Sequence, residues 1–119
     1  MTEQEVFKNY QISFLNEISH GTISNFFHGG GEMEMYFTFL KNPIIIEEDI
    51  IPIIDHYIKG NSFPIDNDIS VGGGYLVEVT LSGVNFINPK TYQVDQVIPL
   101  DDFKIIAQSW ANNNKKHEV

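Results

Sequence analysis

The sequence HGGG at residues 28–31 contains residue types that could take part in catalysis. Lipases and esterases place such a stretch beside the active-site serine, where backbone N–H groups stabilise an oxyanion. Those enzymes also carry their nucleophile in a G-x-S-x-G sequence, which does not occur in this chain. The nearest stretch, GNSFP at residues 60–64, lacks the final glycine. The glycines therefore predict a loop leading into a strand, because glycine tolerates positive φ and close backbone approach.

Motifs for phosphate and metal binding are incomplete. Neither glycine triplet, Gly29–Gly31 or Gly72–Gly74, extends into G-x-G-x-x-G, and no glycine precedes Lys-Ser or Lys-Thr. A stretch beginning at Asp66 starts like a calcium loop, but Val71 and Val77 stand where that loop needs glycine and glutamate. The chain has no cysteine, which excludes disulfides and thiolate ligands. We predict neither a metal nor a cofactor.

Glu32 and Glu34 form the carboxylate pair best placed for acid–base chemistry. In a strand, residues two apart project from the same face. A small hydrolase or isomerase could use such a pair, and this is the enzymatic alternative. A glycosidase would also need a sugar cleft lined with aromatic residues, for which 119 residues leave little room. We therefore predict that the protein is not an enzyme.

Asp66 and Asp68 lie in a long predicted loop, NSFPIDNDISVGGG, at residues 61–74. Loops of this length in a small domain are often functional. The acidic runs at 47–49 and 101–102 have a structural explanation, because negative charge stabilises the first turn of a helix. The two loop aspartates have no such explanation in the sequence, which makes them the better candidates for function.

The elements that position these residues can be predicted from hydrophobic spacing. A capping box at residues 2–5 and apolar residues three and four apart predict a helix over 3–19, ended by Gly21. Alternation over 32–40 predicts a half-buried strand whose outer face carries Glu32 and Glu34. The later predicted elements alternate between strand and helix: a short strand at 44–46, a helix at 50–58 capped by Asp49, a strand at 75–87 bulged at Gly83, a returning strand at 92–98, and a helix from 99 into a polar tail at 112–119.

This order of elements predicts an α+β fold. The expected architecture is an antiparallel sheet with N-terminal, short central and C-terminal helices packed on it. With 119 residues, of which 42% are hydrophobic, the chain is expected to form a single domain over 1–119. The polar tail at 112–119 is expected to fray.

The net charge of -9 limits the partners that the protein can have. Its seven basic residues are all lysines, and arginine, the preferred residue for phosphate and base contacts, is absent. Such a chain should repel nucleic acid and anionic membranes and attract basic proteins. The sequence shows neither a secretory signal nor an apolar stretch long enough to span a bilayer. A soluble, cytoplasmic protein is therefore expected.

Three stretches carry a resemblance to a known class: EVFKNYQISFLNEI, HGGGEMEMYFTF and YQVDQVIPLDDFKIIAQSWA. Together with the acidity and the absence of cysteine, they resemble the immunity proteins of contact-dependent growth inhibition systems that neutralise ribonuclease toxins. The similarity covers most of the chain in element order and length, without one signature motif. It implies a stoichiometric inhibitor that binds the toxin's basic C-terminal nuclease domain and blocks its active site.

The residues for such contacts are chosen from the sequence itself, as acids expected on outward strand faces or in the long loop. The six candidate toxin-binding residues are Glu32, Glu34, Asp66, Asp68, Glu78 and Asp95. A further alternative is an adaptor domain that binds a peptide along an exposed sheet edge.

Overall fold

The computed structural model describes residues 1–61, 66–72 and 74–117. Its elements follow in this order: α1 (Glu3–Tyr10), β1 (Ser13–Ser19), β2 (Thr22–His28), α2 (Met33–Phe39), α3 (Pro43–Ile45), a wide π-helical turn (Ile46–Ile50), α4 (Ile51–Ile58), β3 (Leu76–Thr80), β4 (Gly83–Ile87), β5 (Val94–Ile98) and α5 (Leu100–Lys116). The strands form two antiparallel sheets, β1-β2 and β3-β4-β5. The predicted α+β class is confirmed.

The N-terminal helix is shorter than predicted. Its capping box is present, since the backbone N–H of Glu5 donates to Thr2 Oγ1 over 3.2 Å and the Thr2 hydroxyl donates to Glu5 Oε1 over 3.0 Å. The helix ends at Tyr10, because Gln11 adopts the left-handed conformation with φ 55°. The prediction of one helix over 3–19 is therefore wrong.

Residues 13–19 instead form the first strand of a hairpin. β1 pairs with β2 from Ser13 opposite His28 to Ser19 opposite Thr22. The two turn residues, His20 and Gly21, both have positive φ, the geometry that joins twisted strands most tightly. Gly21 is thus a hairpin residue and not a helix cap. The apolar residues of 13–19 also have the spacing of a helix face. Pairing with β2 decides in favour of a strand, and the spacing within 13–19 alone carries no information about that pairing.

The acidic segment 32–40 is also helical where a strand was predicted. Its buried positions are 33, 36, 37 and 40, the spacing of one helix face. Methionine and glutamate are strong helix formers, which favours this choice over the alternating pattern. The first glycine triplet therefore leads into α2, and the prediction of a strand with Glu32 and Glu34 on its outer face is wrong.

The central helical region begins earlier than predicted. Asn42 caps it by accepting a hydrogen bond from the N–H of Ile44 over 2.9 Å, and Pro43 occupies the first turn. The predictions of a strand at 44–46 and of a helix cap at Asp49 are therefore wrong. The turn at Ile46–Ile50 widens to a π-helix, with the N–H of Ile51 bonded to the carbonyl of Ile46. This widening ends two residues before Pro52, which has no N–H to donate.

The second half of the chain follows the prediction more closely. The region predicted as one bulged strand is the hairpin β3-β4, in which Gly83 begins the second strand. β5 and the C-terminal helix form as expected. The predicted polar tail is helical as far as Lys116, and Asn114 is buried with its amide donating to the carbonyl of Lys41 over 2.8 Å. Residues 118–119 lie outside the described residues.

Trp110 of α5 lies at the centre of the core. Its side chain is fully buried, and its indole N–H donates to the carbonyl of Leu40 over 2.8 Å. Its ring lies 5.0 Å from that of Phe14 and 5.5 Å from that of Phe27, which belong to β1 and β2. The tryptophan thereby joins α5 to the first sheet and to the end of α2.

A second link joins α1 to the start of α5. The Tyr10 hydroxyl donates to Asp102 Oδ2 over 2.7 Å, and Asp102 is only 8% exposed. Burial, together with the hydrogen bond and negative charge of Asp102, raises the pKa of Tyr10 from 10.0 to about 12. The protonated Tyr10 hydroxyl therefore stabilises the folded state. This stabilisation is fully present below about pH 10 and is lost as the pH rises through 12.

Replacing Tyr10 with phenylalanine should lower the free energy of unfolding by about 1–3 kcal/mol at pH 7, because Asp102 loses its hydrogen-bond donor. The difference from wild type should shrink between about pH 10 and 12. Denaturant unfolding at several pH values measures both effects. Tyr92→Phe, at a tyrosine that is 75% exposed, is the control and should leave stability within about 0.5 kcal/mol. A difference that stays constant up to pH 11.5 would contradict the assignment.

Candidate functional site

The glycine triplet at 29–31 is a backbone crossing and not an oxyanion hole. All three glycines have positive φ, at 87°, 76° and 63°. The N–H of Gly30 donates to the carbonyl of Tyr10 over 2.9 Å. A Cβ on Gly29 would stand 1.9 Å from the carbonyl oxygen of Gln11, so only glycine fits there. The triplet lets the chain pass against the end of α1 before it enters α2.

Two side chains hold this glycine loop in place. Gln96 of β5 accepts the N–H of Glu32 over 2.8 Å and donates to the carbonyl of Gly30 over 3.2 Å. Glu34 accepts the N–H of Gly29 over 2.9 Å. Residues two apart on a helix point to different sides, so Glu32 and Glu34 do not form a facing pair. The carboxylate pair required by the enzymatic alternative is therefore not present.

Glu32 is brought together with a different candidate, Asp95. The Tyr75 hydroxyl donates to Asp95 Oδ2 over 2.7 Å. This hydrogen bond is the main reason that the pKa of Tyr75 is raised to about 12, and the carboxylate of Glu32 adds to the effect. Two predicted site residues, one directly before α2 and one in β5, thus lie on one surface around a tyrosine hydroxyl.

Asp68 and Glu78 form the second acidic group. Asp68 lies opposite Glu78 in an antiparallel bridge. Two backbone hydrogen bonds, each 2.9 Å long, flank this bridge. They run from the N–H of Ile69 to the carbonyl of Val77 and from the N–H of Val79 to the carbonyl of Asn67. Because Val77 and Val79 point into the core, Glu78 and the residue opposite it lie on the outer face. Like charges placed directly across a ladder cost about 0.2–1 kcal/mol.

The loop aspartates have local structural roles that the sequence did not reveal. Asp66 Oδ1 accepts the N–H of Asp68 over 3.0 Å, and Asp68 Oδ1 accepts the N–H of Ser70 over 2.9 Å. Hydrogen bonding to Ser70 lowers the pKa of Asp68, so this carboxylate stays charged at neutral pH. Other parts of the predicted loop, residues 62–65 and 73, lie outside the described residues.

Lysines do not neutralise these acids. In the part of the chain that the structure describes, the ion pairs are Lys104 with Asp55 and Lys115 with Glu47, each at 2.6 Å. Both pairs involve α5, and neither contains any of the six candidate residues. None of the six candidate carboxylates is therefore neutralised by an ion pair within the described residues.

The cleft beside Glu32 and Tyr75 is small. Its volume of about 10 Å³ is room for roughly one water molecule. Across residues 1–61, 66–72 and 74–117, no three His, Asp or Glu side chains cluster so that they could hold a metal ion. Within the same ranges no helix has the length and apolarity needed to cross a bilayer. This cleft is thus too small to enclose a substrate-sized ligand.

Comparisons with protein-family models, with curated proteins and with solved structures return no match to this chain.

Two residues of the site, Tyr75 and Gln96, were missed by sequence reasoning. Tyr75 falls on the apolar face of a predicted strand, and Gln96 is one of three polar residues in another, with Gln93 and Asp95. No local signal marks either, because their partners Asp95 and Gly30 are distant in the chain.

Substituting alanine for Gly29 should destabilise the fold by about 3 kcal/mol or more, because the added Cβ overlaps the Gln11 carbonyl in addition to the strain of positive φ. Gly21→Ala is the matched control, since Gly21 has a similar φ of 77° with nothing within 4 Å of the added Cβ. It should cost only about 1–2 kcal/mol. Chemical denaturation compares the two variants, and equal losses would show that the close approach is unimportant.

Proposed function

We propose that this protein is a cytoplasmic immunity protein, which binds a basic toxin nuclease domain and neutralises it. The observation that carries the proposal is the bridge that sets Asp68 directly opposite Glu78 on the outer face of the second sheet. Neither carboxylate belongs to an ion pair among the described residues, so the bridge presents two uncompensated negative charges on one outward row. A basic partner would gain favourable attraction to both of them on binding.

The chemistry of the complex follows from the charge of a nuclease, which binds an anionic RNA backbone in a basic groove. Carboxylates can occupy that groove in place of phosphates. The net charge of -9 and the acids near Tyr75 and along β3 would also steer a basic partner toward this side of the molecule. Inhibition would then be stoichiometric and would require no chemical reaction.

The enzymatic alternative has lost its carboxylate pair, because Glu34 binds the Gly29 N–H and points away from Glu32. The cleft beside Glu32 also lacks the volume for a substrate.

The test is inhibition of a ribonuclease. Basic nuclease domains, beginning with any encoded beside this protein, would be mixed with it at equal molar amounts and assayed for RNA cleavage. We expect one of them to be inhibited at a one-to-one ratio and to be tolerated in cells only when this protein is co-expressed. Failure to bind every basic nuclease domain tested, or binding without inhibition, would overturn the proposal.

The double substitution Asp68→Asn with Glu78→Gln should slow association with the toxin domain, by roughly threefold to tenfold at low salt, because steering depends on charge. Folding stability should stay within about 0.5 kcal/mol of wild type, because loss of the like-charge pair offsets the weaker bond from the Ser70 N–H to a neutral Asn acceptor. Stopped-flow mixing at several salt concentrations measures the rate.

The pair Glu48→Gln with Asp49→Asn is the matched control, because it removes the same charge from two exposed residues on the central helical region. An equal slowing by the control would mean that only net charge matters, and that the Asp68–Glu78 pair has no special role.

A further inference from the structure

The outer face of the β3-β4-β5 sheet, hereafter the outer sheet face, carries apolar side chains that the fold does not bury. The inward residues of β3, such as Val77 and Val79, are at most 1% exposed. In the next register row, Leu76 lies opposite Ile87, which lies opposite Val94. Leu76 and Ile87 face away from the core because residues alternate along β3 and β4. A register shift between Phe86 and Ile87 pairs Val94 with Ile87, which places Val94 on the same outward face.

The exposure of this face is substantial. Leu76 is 36% exposed, Val94 is 48% exposed and Val97 is 49% exposed. The inward residues of the same sheet belong to the core that contains α5, whereas the described elements leave Leu76, Val94 and Val97 exposed. An exposed group of β-branched and aliphatic side chains on a sheet is typical of an interaction surface.

The acidic bridge borders the same face. In the neighbouring register row Glu78 lies opposite Asn85, which lies opposite Val97, and Asp68 extends the row beyond Glu78. One end of the row is therefore apolar and the other is doubly acidic. An apolar centre with a charged rim is the usual composition of a protein–protein interface.

Tyr92, in the loop between β4 and β5, adds an exposed aromatic ring at the end of these strands. Its φ of 58° is in the left-handed region, which side chains rarely adopt, yet the residue is 75% exposed. Hydrogen bonds of 2.8 Å from Tyr92 N–H to the Asn88 carbonyl and from Asn88 N–H to the Gln93 carbonyl hold the loop. A strained, exposed tyrosine has no role in the core, and tyrosine is among the residues that dominate binding energy at interfaces.

We infer that the toxin's nuclease domain docks on the outer sheet face, an inference that rests on the proposed function. Charge complementarity identifies the occupant. The matching surface of the partner is an apolar patch flanked by lysine or arginine, with the apolar patch covering Leu76, Val94 and Val97 and the basic side chains reaching Asp68 and Glu78. The apolar contacts hold the complex together, and the acidic pair orients it.

The experiment measures the affinity and the two rate constants for the nuclease domain that wild type inhibits. Val94→Thr with Val97→Thr keeps β-branched residues in the strand, and Tyr92→Gly suits the left-handed backbone, so both variants should fold. Each should weaken affinity at least about tenfold through faster dissociation, with little change in the association rate. The acidic-pair variant should do the opposite and slow association.

Ile18→Thr is the matched control, because Ile18 is an exposed apolar residue, at 77%, on the other sheet. It should bind as wild type does. Wild-type affinity in both the Val94/Val97 variant and the Tyr92 variant would overturn the docking surface. An equal loss of affinity in the Ile18 variant would overturn it as well. Either result would leave the immunity function standing. A wild-type protein that binds no basic nuclease domain would overturn both.

Amide hydrogen exchange on the wild-type complex gives an answer that does not depend on how the variants fold. Protection on binding should concentrate in β3, β4 and β5 and in the loop that contains Tyr92. Protection confined to the β1-β2 hairpin or to α5 would overturn the inference.

Discussion

The close backbone contact between the glycine triplet and the end of α1 is the constraint on which the arrangement of elements depends. Gly30 bonds to Tyr10, and Gly29 passes so near Gln11 that no side chain can be placed there. The contact fixes where β2 ends and where α2 begins. Gln96 then attaches the same loop to β5, so one crossing point joins the first sheet, α1, α2 and the second sheet.

Trp110 provides the complementary link on the other side of the core. Its ring packs on Phe14 and Phe27 while its N–H bonds to the chain just after α2. The helix that carries it also receives the Tyr10 hydrogen bond at its first turn. The two sheets share no strand, and their relative position is therefore set by helices and by the glycine loop.

The elements that sequence reasoning predicted well are those with one clear period. The C-terminal helix and β5 formed as expected, and so did the capping box at Thr2. The segments between 11 and 40 were predicted wrongly because short apolar runs fit both periods. Alternate residues of 33–39 are apolar, yet positions 33, 36, 37 and 40 also make a helix face.

The candidate site shows the same limit at the level of side chains. Acidity and its concentration between residues 32 and 102 could be read directly from the chain, and so could the six candidate carboxylates. Their grouping could not, because Glu32 meets Asp95 through Tyr75, and Asp68 meets Glu78 across a bridge. Each pairing depends on contacts between distant segments. Glu34 has a structural role instead, because it accepts a hydrogen bond from the N–H of Gly29 in the glycine loop.

The alternation along β3 has a consequence for how such a protein can diverge. Val77 and Val79 maintain the core, while Leu76 and Glu78, one residue away, face outward. Mutation at the outward positions changes the chemistry of the surface without disturbing the packing underneath. The surface chemistry can therefore change by stepwise substitution, because the residues that keep the chain folded and those at the surface are separated by the pleat of a single strand.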